Sequence, residues 1–157
     1  ALTVDCGIDI LSFGGTKNGL MMGECVLVFR KELFAAAAYI RKQSAQLSSK
    51  MRYISCQFTA LLTNELWRKN ALHANKMAQL LHKELSKYEK VVFTQKVESN
   101  ELFFTLPIKL SNKLLTHVFF YIFNEDINEA RLVTSFDTSK EDIEAFLSCF
   151  KICYDEA

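Results

Sequence analysis

The sequence is short of the features that mark several classes of protein. It carries almost no net charge, +1 from 19 lysines and arginines against 18 acids in 157 residues. Nothing in that balance points to nucleic acid or to an anionic membrane surface. It has no long hydrophobic run. The longest, FAAAAYI and VFFYIF, are far too short to span a bilayer. The first residues hold no charged segment followed by an apolar core, so no signal peptide is expected. The five cysteines are odd in number and follow no framework. Cys149 and Cys153 stand four apart on a predicted helix, with no histidine nearby to complete a metal site. Reduced thiols in a cytoplasmic protein, without a metal, are the expectation. No repeat and no low-complexity tract occurs. Glycine is scarce and unevenly placed. All five fall in the first 23 residues, and three of them lie between positions 14 and 19.

Half of the residues are apolar, enough for a core of ordinary size in one domain or in a piece of a larger protein. IDILSF (8–13) reads as a short buried strand ended by Gly14 and Gly15, and ECVLVF (24–29) as a second strand. Helices are predicted from Lys31 to Gln43 and from Met51 to Leu62, with the polar break AQLSSK between them. A longer helix is predicted to start at Thr63 or Asn64, either of which could cap it. Its apolar stripe is Trp67, Ala71, Ala74, Ala78, Leu81, Leu85 and Tyr88, with His73 and His82 on the polar side. From residue 90 the period changes. VVFTQ and LFFTLP read as strands, SNKLLTHV as a short helix with His117 at its end, and FFYIF and ARLVTSF as strands around the turn NEDINE. A last helix is predicted behind a capping box of Thr138 and Glu141, with Ile143, Phe146, Leu147, Phe150 and Tyr154 as its stripe. The order is that of an α/β chain. Its first strand–loop–strand unit is too small to be a stable sheet alone.

The loop in DILSFGGTKNGLMMGECVLVF sets Lys17 among three glycines. A lysine held in a partly desolvated pocket can become a nucleophile and form a Schiff base with a carbonyl. The two adjacent glycines let the backbone bend and approach a ligand. Thr16 adds a hydroxyl and an N–H that could hold a phosphate. The loop is thus competent for a pyridoxal-phosphate lysine, and equally for an ordinary solvated turn. A P-loop is excluded, because no strand–GxxxxGK[ST]–helix spacing is present.

That segment resembles the cofactor-lysine segment of the threonine aldolase family, nearest its phenylserine-aldolase-like branch. IRKQSAQLSSKMRYISCQ is similar to the family's arginine-bearing segment, and ARLVTSFDTSKEDIEAF to its C-terminal strand and helix. The three occur in the family's order. The resemblance implies an aspartate-aminotransferase-like fold with pyridoxal 5'-phosphate as cofactor. Lys17 would then carry the cofactor and relay protons at the substrate Cα. Thr16 would lie near the cofactor phosphate, and Arg52, beside Lys50, would reach the phosphate of a neighbouring subunit. Arg131 would hold the substrate α-carboxylate through a two-pronged guanidinium contact. The implied reaction is that of a low-specificity threonine aldolase, which cleaves L-threonine or related β-hydroxy-α-amino acids to glycine and an aldehyde.

The family's N-terminal half has no counterpart here. That half supplies the partner of the pyridine nitrogen, the ring-stacking residue, most of the phosphate loop and the histidine that acts on the β-hydroxyl. Asp5 and Asp9 stand too near Lys17 in sequence to replace the ring partner. The expected architecture is therefore the end of a large-domain sheet (1–44), a connecting helix region (45–63) and a complete small α+β C-terminal domain (64–157). Its partners would be the N-terminal half or identical subunits in a homodimer or homotetramer. Alone, the chain would be inactive and would expose apolar edges. Two alternatives stand beside this: a β-eliminating amino-acid lyase on the same fold, and a non-catalytic remnant that only associates with partners.

Overall fold

The computed structural model describes residues 3–157, so the first two residues of the expected 1–44 segment lie outside the described residues. The chain divides into two compact units, the first ending at Trp67 and the second running from Arg68 to Ala157.

The first unit opens with strands β1 (Ile10–Gly14) and β2 (Glu24–Val28), paired antiparallel with Ile10 opposite Val28 and Gly14 opposite Glu24. Helices α1 (Lys31–Gln43) and α2 (Met51–Leu62) follow. The expectation of a buried first strand does not hold in the described chain. β1 alternates exposed and half-buried positions, Ile10 is 49% exposed, and across the ladder Val26 is 64% exposed. A hairpin of two strands has no third strand or helix layer to cover both of its faces. Helix α1 buries none of its residues, and Phe34, Tyr39 and Ile40 stand in the open.

Neither Thr63 nor Asn64 caps the next helix. Asn64 and Glu65 both take positive φ, at 52° and 56°, and break the chain into two helices. Thr63 instead closes α2, its hydroxyl donating to the carbonyl of Thr59 at 2.6 Å. Helix α3 then runs Leu66–Leu85. Its buried face is Ala74, Met77, Ala78, Leu81 and Leu85, so the stripe includes Met77 and leaves Trp67 nearly half exposed.

The second unit is built on a four-stranded antiparallel sheet in the order β3-β4-β6-β5: β3 (Val92–Phe93), β4 (Glu101–Thr105), β5 (Tyr121–Asn124) and β6 (Glu129–Val133). Helix α4 (Ile108–Leu115) follows β4, starting directly after Pro107, and helix α5 (Lys140–Asp155) closes the chain. Period-two alternation puts Leu102 and Phe104 of β4 on one face, with Ala130 of β6 opposite Phe104. Leu81 and Leu85 of α3, Leu110 and Leu114 of α4 and Phe150 of α5 complete that core. The turn before β6 needs a left-handed residue, and Asn128 supplies it at φ 50°. Its amide donates to the Leu106 carbonyl and to the Ser111 hydroxyl, both at 2.7 Å. The capping box of α5 sits one residue later than expected. Ser139 accepts from the Asp142 N–H at 3.0 Å, and Asp142 accepts from the Ser139 N–H at 2.8 Å. Thr138 serves the preceding turn, its hydroxyl accepting from the Ser135 N–H at 2.8 Å.

Candidate functional site

Between β1 and β2 the chain makes a tight 3-10 turn over Thr16–Asn18. Asn18 N–H donates to the Gly15 carbonyl at 2.9 Å, and Leu20 N–H donates to the same carbonyl at 3.1 Å. Gly19 leaves the turn at φ 111°, a conformation in which a side chain would be strained. Gly15 is buried. A Cβ there would stand 2.2 Å from Leu20 Cδ1 and 3.3 Å from Leu61 Cδ2, so any side chain would have to displace the buried Leu20.

Helix α2 holds this turn from outside. Its non-exposed residues are Met51, Ile54, Gln57, Phe58 and Leu61, a helical stripe. Leu61 packs at Gly15, and Phe58 meets the ring of Phe13 at 6.2 Å between centroids. The Gln57 side-chain oxygen accepts from the N–H groups of Met21 and Met22 at 3.0 and 3.3 Å. Asn18 donates to the Trp67 carbonyl at 3.1 Å, which ties the turn to the end of the unit.

Lys17 and Thr16 are exposed at the apex of the turn. Among the described residues Lys17 engages in no hydrogen bond or ion pair. Lys17 therefore stands in solvent here, not in the partly desolvated pocket expected of a Schiff-base lysine, and a further covering layer would have to supply that pocket. Arg52, also exposed, lies over the ring of Tyr53 at 5.2 Å. It is nine residues before Leu61, roughly 14 Å along the helix axis, so α2 does not bring it to the Lys17 turn of its own chain. Asp9 faces Arg30 at 3.5 Å.

Arg131 lies in the second unit, on β6. Its guanidinium pairs with Glu101 of the adjacent strand and stands over the Phe103 ring at 6.0 Å. Both partners of the ion pair are one-third exposed. The histidines depart from expectation. His73 is half-buried with a ring nitrogen 2.7 Å from the Thr138 carbonyl, and His82 is half-buried with its ring edge-on to Phe93 at 4.4 Å. Both serve packing within the second unit rather than facing solvent. His117 is exposed beyond α4.

Sequence reasoning overlooked Gln57 and Glu101. For Gln57 a signal was available. It is the one polar member of an otherwise apolar stripe, and a polar group on a buried face needs hydrogen-bond partners. For Glu101 the signal is weaker: an acid opening the strand LFFT, two positions from the residue that pairs across with Arg131.

No family model matches the chain. A low-specificity L-threonine aldolase of Pseudomonas sp. (strain NCIMB 10558) is 43% identical over 102 residues, which is 65% of this chain and 30% of that protein. One from Pseudomonas aeruginosa is 36% identical over 141 residues, 89% of this chain and 40% of that protein. The solved threonine aldolase of Leishmania major superposes with a TM-score of 0.84 at 26% identity, covering 96% of this chain and 45% of that one. The chain thus spans less than half the length of the relatives it matches. Its fold is the expected one, the closing portion of an aspartate-aminotransferase-like architecture. The chain belongs to the threonine aldolase family, of whose members it spans the C-terminal part.

Proposed function

We propose that the chain is the cofactor-lysine and C-terminal portion of a pyridoxal-phosphate aldolase that cleaves L-threonine or related β-hydroxy-α-amino acids to glycine and an aldehyde. The observation that carries this is Lys17. It is an exposed amine without an ionic partner among the described residues, on a turn whose buried Gly15 packs against Leu20 and Leu61. When bound, the cofactor would supply the electron sink that lets the substrate Cα–Cβ bond break. The chain's own residues would do the rest. Lys17 would hold the cofactor and move the proton at the substrate Cα. Thr16, beside it at the apex, would donate to the phosphate. Arg131 would orient the substrate by its carboxylate, with Glu101 as the group that keeps its guanidinium in place until then. Arg52, exposed on α2 and nine residues before Leu61, would suit a phosphate held by a second subunit.

Residues 1–44 would be the end of the large domain, 45–63 the connection and 64–157 the small domain. The working form would be a cytoplasmic homo-oligomer. The chain by itself would be inactive, because it spans less than half the length of the relatives it matches and the remainder of such an enzyme would supply further groups of the site. The test is borohydride reduction of the chain with pyridoxal 5'-phosphate, followed by peptide mapping. A stoichiometric adduct on Lys17 alone is expected where a cofactor pocket forms. Weak labelling scattered over many lysines would overturn the assignment of Lys17. A substrate panel separates the aldolase, which yields glycine, from a β-eliminating lyase, which yields pyruvate.

A further inference from the structure

Gln57 is the one polar side chain of α2 that is not exposed, and all of its polar atoms but one hydrogen are spoken for. A side-chain amide offers an oxygen with two lone pairs and an NH2 with two donors. Both lone pairs are used, on the N–H groups of Met21 at 3.0 Å and Met22 at 3.3 Å. The Nε2 donates to the Tyr53 carbonyl one turn back along the helix, at 2.8 Å. That third bond fixes which end of the amide faces the turn. Met21 and Met22 lie before β2 begins at Glu24, and their own side chains are exposed. These two consecutive N–H groups therefore take their acceptor from a helix thirty-five residues on.

We infer that Gln57 is a positioning residue for Lys17, a neutral clamp that pins the chain just beyond the lysine turn so that the amine keeps one place and direction. The packing of Leu61 and Phe58 presses the turn onto α2, but dispersion is non-directional and would tolerate sliding. The bonds to Met21 and Met22 set the register. This inference rests on Lys17 as the cofactor-bearing amine.

The test compares the full chain with Gln57→Met, which keeps the volume and loses the acceptor, and Gln57→Glu, which keeps both acceptor sites. Two readouts are taken. One is backbone amide exchange at Met21 and Met22. The other is the share of pyridoxal-phosphate adduct on Lys17, relative to the other lysines, after borohydride reduction. In Gln57→Met we expect exchange at both amides to quicken roughly tenfold. The preference for Lys17 should fall toward that of any exposed lysine, and Gln57→Glu, which keeps the acceptor for Met21 and Met22 but loses the donor to the Tyr53 carbonyl, should restore part of it. If Gln57→Met fails to fold, Gln57→Ser, too short to reach the turn, replaces it with the same expected outcome. A preference for Lys17 that survives the loss of the clamp overturns this inference alone. A wild-type chain with no preference for Lys17 overturns the cofactor assignment, and this inference with it.

Discussion

Lys17 and Arg131 are both cations, and the two units treat them oppositely. Lys17 is exposed and without an ionic partner among the described residues. Arg131 is one-third exposed, flanked by an aromatic face and paired with Glu101. A carboxylate arriving at Arg131 would meet a guanidinium that is already aligned, and would have to share it. The cysteines show the same dependence on surroundings. Cys153 is fully buried, and burial pushes its thiol up from the ordinary range, with Cys149 beside it adding to the effect. Thiolate is the reactive form, so Cys153 should be inert in the native chain. Cys6 and Cys56 are exposed. With a water-soluble disulfide reagent we expect Cys6 and Cys56 to modify rapidly and Cys153 only on unfolding, as read by mass mapping of the quenched protein. Rapid modification of Cys153 in the folded chain would contradict its placement in the core.

At the scale of elements, α5 shows how a cap responds to pH. Hydrogen bonds from the Ser139 N–H and hydroxyl hold the Asp142 carboxyl below the usual carboxylate range. A depressed folded pKa means that the unfolded chain binds the proton first. The stabilisation is therefore complete at neutral pH and is lost as pH falls through the ordinary carboxylate range toward the folded value. We expect Ser139→Ala to cost about 1 kcal/mol at pH 7. The difference should shrink in acid, where Asp142 is protonated and the reciprocal bond is weakened. Urea unfolding of both proteins at neutral and acid pH measures this, and an equal difference at both would show that the box carries no charge-assisted component.

The same helix marks what sequence could tell. Its period and its buried face at Ile143 and Phe150 were legible, because an apolar stripe at helical spacing has one place to go. Its cap was misplaced by one residue, since Thr138 and Ser139 are both good caps and only the turn before them decides which is free. The bounds of α1 and α2 matched for a different reason: helix-favouring residues fill both segments, and the polar run between them breaks the helix. The break at Asn64–Glu65 was not legible, because left-handed backbone at a glutamate has no sequence mark. The lysine turn stood out by its glycines, whereas its holder Gln57 lies on a distant helix. Pairing across more than thirty residues cannot be read from local pattern.

At the scale of the whole molecule, the two units differ in what they bury. In the second, Leu85, Leu102, Leu110, Phe150 and Cys153 are each fully inside. In the first, Leu20 and Leu61 are the large side chains buried among the described residues, while Ile10, Val26, Phe34, Tyr39 and Ile40 stand between 49% and 79% exposed. Opening free energy follows buried apolar contact and protected hydrogen bonds, so the units should not share one stability. We expect native-state hydrogen exchange of the chain by itself to give two classes. β4, β6 and α5 should exchange only through global unfolding, and α1 with the β1–β2 hairpin through much smaller openings. Limited trypsin should cut first at Lys50, at the end of the exposed segment between α1 and α2. An apolar surface of that extent is what a sheet edge and a helix present before another layer covers them. Protection in the first unit should therefore rise with protein concentration if identical chains cover it. It should be independent of concentration if the covering layer comes from elsewhere. Equal protection of both units in dilute solution would mean that the exposed faces are stable uncovered, and the expectation of a missing layer would fail.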